Sequence, residues 1–68
     1  MPLTEIVQSN LLALRKKKKL TQEALAERAG LSVSMISMLE RGQRHPPLDT
    51  LEALAKALGV RPVALLEG

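Results

Sequence analysis

Residues 21–42 read TQEALAERAGLSVSMISMLERG, and three of their spacings fit two short helices that cross closely. Ala26 lies midway along the first amphipathic stretch, where a small side chain allows a second helix to approach. Gly30 follows four residues later, where a helix end favours a residue that can adopt a left-handed conformation. Ile36 is a β-branched core residue in the second stretch, which begins after the cap-type residue Ser32. The pattern predicts two helices joined by a sharp turn at Gly30.

Two helices joined by a short glycine-containing turn at roughly 90–120° form a helix-turn-helix unit. In the second helix, Ile36, Leu39 and the stem of Glu40 share one face, which is therefore predicted to be buried. The opposite face carries Ser34, Ser37, Met38 and Arg41. This geometry leaves the second face clear of the protein, so that it can enter a groove of another molecule.

The rest of the chain also shows helical periodicity, with Val7, Leu11 and Leu14 recurring on one side of the first stretch. We predict five helices: residues 5–17 with Thr4 as N-cap, 22–29 with Thr21 as N-cap, 32 or 33 to 41, 48–58, and 62–67. No strand pattern and no internal repeat is present in the sequence. The predicted fold class is therefore all-α, in a single domain of residues 1–68.

The composition excludes several function classes. The chain has no cysteine and one histidine, His45, so no disulfide and no metal site is expected. It has no aromatic residue, which argues against binding single-stranded nucleic acid by base stacking. The sequence lacks a Gly-rich phosphate loop, and 68 residues leave little room for a large enclosed pocket, so neither an enzyme nor a cofactor is expected. Without an 18-residue apolar stretch or a signal-peptide pattern, we expect a cytoplasmic protein with no membrane role.

Positive charge is concentrated in two short segments. Residues 1–48 contain eight Lys and Arg residues against four acidic residues, whereas residues 49–68 contain two against three. Seven of the ten basic residues lie within residues 15–19 and 41–44. This distribution is typical of a molecule with one side facing a polyanion, although such a segment is as often only a solvated surface.

The motifs LTQEALAERAGLS (residues 20–32), LERG (39–42) and LDTLEALAKALGV (48–60), together with Ile36, resemble the Cro/repressor-type, or Xre-like, helix-turn-helix DNA-binding family. The resemblance extends over nearly the whole chain, from about Ile6 to Leu66. It implies a compact five-helix, lambda-repressor-like domain. It also implies a transcriptional regulator that binds double-stranded DNA as a homodimer, with the third helix in the major groove. The family includes antitoxins and restriction-modification controllers as well, so a protein partner such as a toxin is an alternative.

The resemblance further implies roles for individual residues. Four residues of the third helix would face base edges: Val33, Ser34, Ser37 and Met38. Four residues around that helix would contact DNA phosphates: Gln22, Arg41, Gln43 and Arg44. Lys19, in the basic segment after the first helix, is a further candidate for a phosphate contact because of its charge. Arg15 and Glu40 match a partly buried ion pair that ties the first helix to the third, and Gly30 is a turn residue without a binding role.

Some positions depart from the family pattern. Val33 and Met38 replace residues that make bidentate contacts with guanine or adenine, which leaves thymine methyl groups, bridging water and DNA shape for readout. Lys19 lies where the turn after the first helix often has glycine. Leu12 replaces a common basic residue, and Pro47 replaces a frequent serine cap before the fourth helix.

Several assignments have structural alternatives. Arg15 could contact a phosphate instead of pairing with Glu40, and residues 16–19 could form only a solvated helix end. Three apolar residues fit either the core or a dimer interface: Leu12, Val63 and Leu65. The alternative function, an antitoxin or adaptor that binds a protein, is motivated by an uncharged surface on the third helix: Val33, Met35 and Met38.

Overall fold

In a computed structural model, residues 3–68 form four α-helices and one turn of 3-10 helix, with no strand among these described residues. The helices are α1 (Leu3–Lys17), α2 (Gln22–Ala29), α3 (Val33–Glu40) and α4 (Leu48–Leu58). The all-α class is confirmed, whereas the prediction of a fifth helix over residues 62–67 is wrong, because that segment forms a 3-10 turn over Pro62–Leu65. None of the helices in residues 3–68 is long and apolar enough to cross a bilayer.

The C-terminal segment is held against α1 by side-chain hydrogen bonds. Leu65 is fully buried, and the Asn10 amide donates to the carbonyl oxygens of Leu65 (3.1 Å) and Glu67 (2.8 Å). Within the turn, the N–H of Ala64 bonds the carbonyl of Arg61 at the spacing of a 3-10 helix. Asn10 therefore satisfies one carbonyl at the last residue of the 3-10 turn and one just beyond it, which ties this end of the chain to α1.

Side-chain caps begin both helices of the central unit. The Thr21 hydroxyl accepts a hydrogen bond from the N–H of Ala24 at 3.0 Å, at the start of α2. The Ser32 hydroxyl accepts one from the N–H of Met35 at 3.0 Å, at the start of α3. Both caps satisfy N–H groups that have no partner within the helix. The predicted starts of α2 and α3 are confirmed.

The turn between α2 and α3 depends on the backbone of Gly30. This residue has a φ of 71°, in the left-handed region. The N–H of Gly30 bonds the carbonyl of Glu27, and the N–H of Leu31 bonds the carbonyl of Ala26 at 2.9 Å. This pair of bonds closes the helix, and glycine adopts the required conformation without the strain that a Cβ adds.

The end of α1 has the same hydrogen bonds without glycine. Lys19 has a φ of 59° and is the one non-glycine residue with a positive φ among the described residues. The N–H of Lys19 bonds the carbonyl of Lys16, and the N–H of Leu20 bonds the carbonyl of Arg15, each at 3.0 Å. A side chain in this conformation costs roughly 1 kcal/mol relative to glycine. The departure from the family pattern at Lys19 is therefore a strained helix end.

The predicted N-cap of α1 is wrong. Thr4 lies inside α1, which begins at Leu3 instead of Glu5. Leu3 precedes Val7 by one helical turn, and both side chains line the same apolar depression. The apolar face of α1 therefore continues beyond the position where the cap was expected.

One core joins all four helices and the 3-10 turn. Its buried apolar side chains are Val7, Leu11, Leu25, Ala26, Ile36, Leu39, Leu51, Leu54, Ala55, Leu58 and Leu65. The inward positions predicted for α4 are all buried, and α2 packs against both α3 and α4. Because α1 also packs against α3, α3 is held in place by two helices, and its residues Val33 and Ser34 remain exposed.

The end of α3 lies unusually close to α1. Gly42 has a φ of 72°, and a Cβ at this position would lie 2.5 Å from Oε1 of Gln8. Glycine is favoured here by the backbone conformation, whereas the nearby Gln8 amide is the end of a flexible side chain that can move aside. This approach places the loop after α3 beside the middle of α1.

Candidate nucleic-acid interface

The outer face of α3 carries the four residues that the sequence assigns to base contacts. Val33 and Ser34, in the first turn, are exposed, with 39% of Val33 accessible. Ser37 and Met38 lie one turn further on and are half-buried. This face is opposite the buried Ile36 and Leu39, so α3 is an amphipathic helix with one buried and one accessible face.

A shallow depression of about 440 Å³ unites most of the predicted contact residues. It is lined by Gln22, Val33, Ser34, Ser37, Met38, Arg41 and Gln43. These residues come from the start of α2, the outer face of α3 and the loop after α3. The depression is called the α3 surface below.

Arg44 and Lys19 lie outside the α3 surface. Arg44 lines an adjacent depression of about 500 Å³ together with Gln43, His45 and Pro47, so Gln43 joins the two depressions. Lys19 is exposed in the turn before α2 and lines neither. The structure thus brings Arg44 next to the predicted base-facing residues, whereas it does not bring Lys19 into either depression.

The only ion pair among residues 3–68 joins Arg15 of α1 to Glu40 of α3. Nε of Arg15 donates to Oε2 of Glu40 at 2.5 Å, and Nη2 donates to Oε1 at 3.1 Å. The side chains are 14% and 5% exposed, so the pair is largely shielded from water. Nη1 of Arg15 donates to the carbonyl of Leu20 at 2.8 Å, which ties the turn after α1 to the same pair.

Gln22 makes a contact that sequence reasoning missed. Its Nε2 donates to Oε1 of Glu40 at 3.0 Å, so a predicted phosphate contact is also bonded to the buried ion pair. The two residues are 18 positions apart and lie on different helices. No local pattern links them, because only the crossing of α2 and α3 brings them together.

The Arg side chains that line the α3 surface and the adjacent depression are Arg41 and Arg44. Both are exposed and take part in no ion pair within the described part of the chain. Glu40, the acidic residue beneath the surface, is neutralised by Arg15. An anion that approaches this side therefore meets uncompensated cations.

The structure resolves several of the alternatives left open by the sequence. Leu65 belongs to the core, whereas Val63 is 46% exposed and Leu12 is half-buried. Met35 packs against the core, so it does not form one continuous uncharged surface with Val33 and Met38 for a protein partner. Of that surface, Val33 and Met38 remain together, and both line the α3 surface.

Comparison with known proteins places this architecture in a family. Residues 11–65 match the family described as Helix-turn-helix. The chain belongs to this helix-turn-helix family. It is 47% identical over 66 residues to the uncharacterized HTH-type transcriptional regulator y4dJ of Sinorhizobium fredii, covering 97% of this chain and 86% of that protein. It is also 47% identical over 60 residues to the immunity repressor protein of Bacillus phage phi105, covering 88% of this chain and 42% of the repressor.

Solved structures of related proteins have the same helix arrangement. The restriction-modification controller protein C.AhdI from Aeromonas hydrophila superposes with a TM-score of 0.85 at 40% identity, over 88% of this chain and 91% of the controller. The hypothetical transcription factor NHTF from Neisseria gives a TM-score of 0.92 at 33% identity, over 97% and 76%. The protein is therefore a helix-turn-helix transcriptional regulator by family, a class defined by DNA binding and not by catalysis.

Proposed function

We propose that residues 1–68 form one DNA-binding domain that inserts α3 into the major groove and acts as a homodimer on double-stranded DNA. The observation that carries this proposal is the α3 surface, where the outer face of α3, the start of α2 and the following loop meet beside uncompensated cations. An α-helix fits the major groove of B-DNA, which is about 12 Å wide. The eight residues of α3 extend about 12 Å, so they reach along a few base pairs.

The base-facing residues favour a particular kind of readout. The hydroxyl groups of Ser34 and Ser37 can each donate and accept, so they bond base edges without selecting one base strongly. Val33 and Met38 offer apolar contacts that suit the methyl group of thymine. Because none of the four makes a bidentate contact, we infer that specificity comes from thymine methyl groups, bridging water and DNA shape.

The phosphate contacts surround this patch. Gln22 lies at the N-terminus of α2, where main-chain N–H groups also favour an anion. Arg41 caps the end of α3, and Gln43 and Arg44 follow in the loop beside the groove-facing side chains. Lys19 extends this line beyond Gln22 and supplies a peripheral contact. These contacts set the position of α3 on the duplex, whereas the bases select the sequence.

A second copy supplies the rest of the site. One α3 contacts too few base pairs to define a single site in a genome, and two copies related by a two-fold axis double the number of bases read. Two α3 helices about 34–36 Å apart would occupy successive major grooves on one side of the DNA.

The chain would act by binding alone, without catalysis or a cofactor. We expect it to work in the cytoplasm.

Selection from a random duplex pool tests this proposal directly. Purified protein should enrich two related half-sites arranged as an inverted repeat, with centres 10–10.5 base pairs apart or a multiple of that spacing. The logarithm of the binding constant should fall with the logarithm of salt concentration, by about 0.9 for each phosphate neutralised. A pool that shows no enrichment, together with binding to a protein that persists at high salt, would favour the adaptor alternative instead.

A further inference from the structure

Glu40 is the centre of a network that reaches the α3 surface. Its carboxylate accepts three hydrogen bonds, two from Arg15 and one from Nε2 of Gln22. The carboxylate is 5% exposed and its charge is balanced by Arg15, whereas Gln22 lines the α3 surface. The network therefore extends from a shielded ion pair to a residue that faces the proposed ligand.

The hydrogen bond from Gln22 to Glu40 determines which end of the Gln22 amide faces the buried carboxylate. An ionised carboxylate only accepts hydrogen bonds, so it binds the NH₂ end of the amide and not the oxygen. One of the two protons on Nε2 is used in this bond, and the other is left for a ligand. A phosphate oxygen needs such a donor, and the second proton can supply it.

The same bond also restricts the motion of Gln22. A glutamine on an open surface samples many rotamers and loses that freedom when it binds a ligand. Here the side chain is half-buried and bonded to an acceptor that Arg15 holds in place. Much of the ordering cost is therefore met during folding instead of during binding, which raises affinity without adding a contact.

We propose that Glu40 is a positioning residue for DNA binding, which holds the Gln22 amide ready to donate to a phosphate. This inference rests on the proposed function, because it concerns the same interface. Arg15 is needed for the arrangement, since an unpaired carboxylate beneath the α3 surface would repel the phosphates. Neither Arg15 nor Glu40 touches DNA in this scheme.

The opposing explanation is that the ion pair only braces α1 against α3. A variant that removes both charges but keeps the packing separates the two explanations. Replacing a buried ion pair by apolar residues of similar size is often neutral for stability. Arg15→Met combined with Glu40→Met therefore removes the acceptor for Gln22 while retaining side-chain volume. The matched control is Glu27→Met combined with Arg28→Met, which removes one charge of each sign from exposed positions on α2.

The experiment is a double-mutant cycle on the duplex selected from the pool. Gln22→Ala is measured in the wild-type background and in the Arg15→Met, Glu40→Met background. We expect each change alone to weaken binding about tenfold, and Gln22→Ala to add almost nothing in the second background, because a misplaced Gln22 has no contact left to lose. The control pair should bind within about twofold of the wild type.

Two further readouts distinguish positioning from bracing. In the free protein, the side-chain amide signals of Gln22 in a ¹H–¹⁵N spectrum should differ from those of a solvated glutamine, and should revert to them in the Arg15→Met, Glu40→Met variant. The salt dependence of binding should keep its slope in that variant, because a neutral amide releases no counterion. A slope smaller by about 0.9 would mean that Arg15 itself contacts a phosphate, and would overturn the proposal.

The remaining outcomes are also decisive. Equal losses from Gln22→Ala in both backgrounds would show that Glu40 acts through the fold alone. No loss from Gln22→Ala in the wild type would reject the positioning role while leaving the DNA-binding proposal intact, whereas absence of duplex binding by the wild type would reject both.

Thermal unfolding confirms that each variant is folded at the assay temperature. If the double methionine variant is not, the cycle is repeated with Glu40→Gln, which retains the side-chain shape and removes one acceptor oxygen.

Discussion

The inner and outer faces of α3 belong to the same eight-residue helix but differ in burial and in their contacts with other helices. On the inner face, Ile36 is 0% and Leu39 is 2% exposed, and Glu40 is bonded to other helices. On the outer face, Ser34 is exposed and Met38 half-buried, and both line the α3 surface. The inner face can change only if the surrounding packing changes with it, whereas substitutions on the outer face disturb the packing less. The outer face of such a helix can therefore vary with a smaller effect on stability than the inner face.

The largest expected effect tests the inner face. Ile36→Ala removes a fully buried β-branched side chain from the core, so we expect the free energy of unfolding to fall by about 3–4 kcal/mol. A domain of 68 residues has about 3–10 kcal/mol in total, so much of the fold would be lost. Urea unfolding measures the change. A loss below about 1 kcal/mol would show that this face is less tightly packed than the structure indicates.

The next effect tests the charged edge of the outer face. Arg44→Ala should weaken binding about tenfold for every duplex alike and lower the salt slope by about 0.9, because it removes one phosphate contact. Its stability should change by less than about 0.5 kcal/mol, since Arg44 is exposed. Lys56→Ala, an exposed cation on α4, is the matched control and should leave the slope unchanged. An altered sequence preference in Arg44→Ala would assign this residue to the bases instead.

A smaller effect tests the apolar part of the outer face. Replacing a thymine that contacts Met38 by deoxyuridine removes one methyl group, which should cost the wild type about 0.8 kcal/mol of binding free energy. Met38→Ala should bind the two duplexes equally. Titrations with each duplex of the selected sequence measure the difference. If Met38→Ala discriminates as well as the wild type at every thymine, Met38 does not contact the bases.

The smallest effect concerns Lys19, whose backbone strain lowers stability and whose charge is predicted to contact a phosphate. Lys19→Gly should raise the free energy of unfolding by about 0.5 kcal/mol, because it relieves the left-handed strain at the end of α1. The same change should lower the salt slope if Lys19 contacts a phosphate. Lys18→Gly removes an equal charge at a neighbouring exposed position without a positive φ, so it should destabilise the protein. Equal stability changes in the two variants would contradict the assignment of strain to Lys19.

Local chemistry explains why so much of the fold was predictable. Thr21, Ser32 and Gly30 act through hydrogen bonds and backbone conformations within a few residues, so α2 and α3 could be delimited from the sequence. The apolar periodicity of residues 48–58 likewise predicted α4 with its boundaries and its buried face. The fifth element is a 3-10 turn that is shorter than the predicted helix, and its bond to Asn10, 55 residues away from Leu65, has no local sequence signal.

The sequence by itself determined the helical class, the turn at Gly30 and the separation of α3 into a buried and an accessible face, because each depends on residues at most a few positions apart. Only the tertiary structure decided that Gln22 would share an acceptor with Arg15 and that Gln8 would lie against Gly42. It also decided that seven of the predicted contact residues would line one surface. These relations join segments distant in the chain, and their distances depend on how the core brings the helices together.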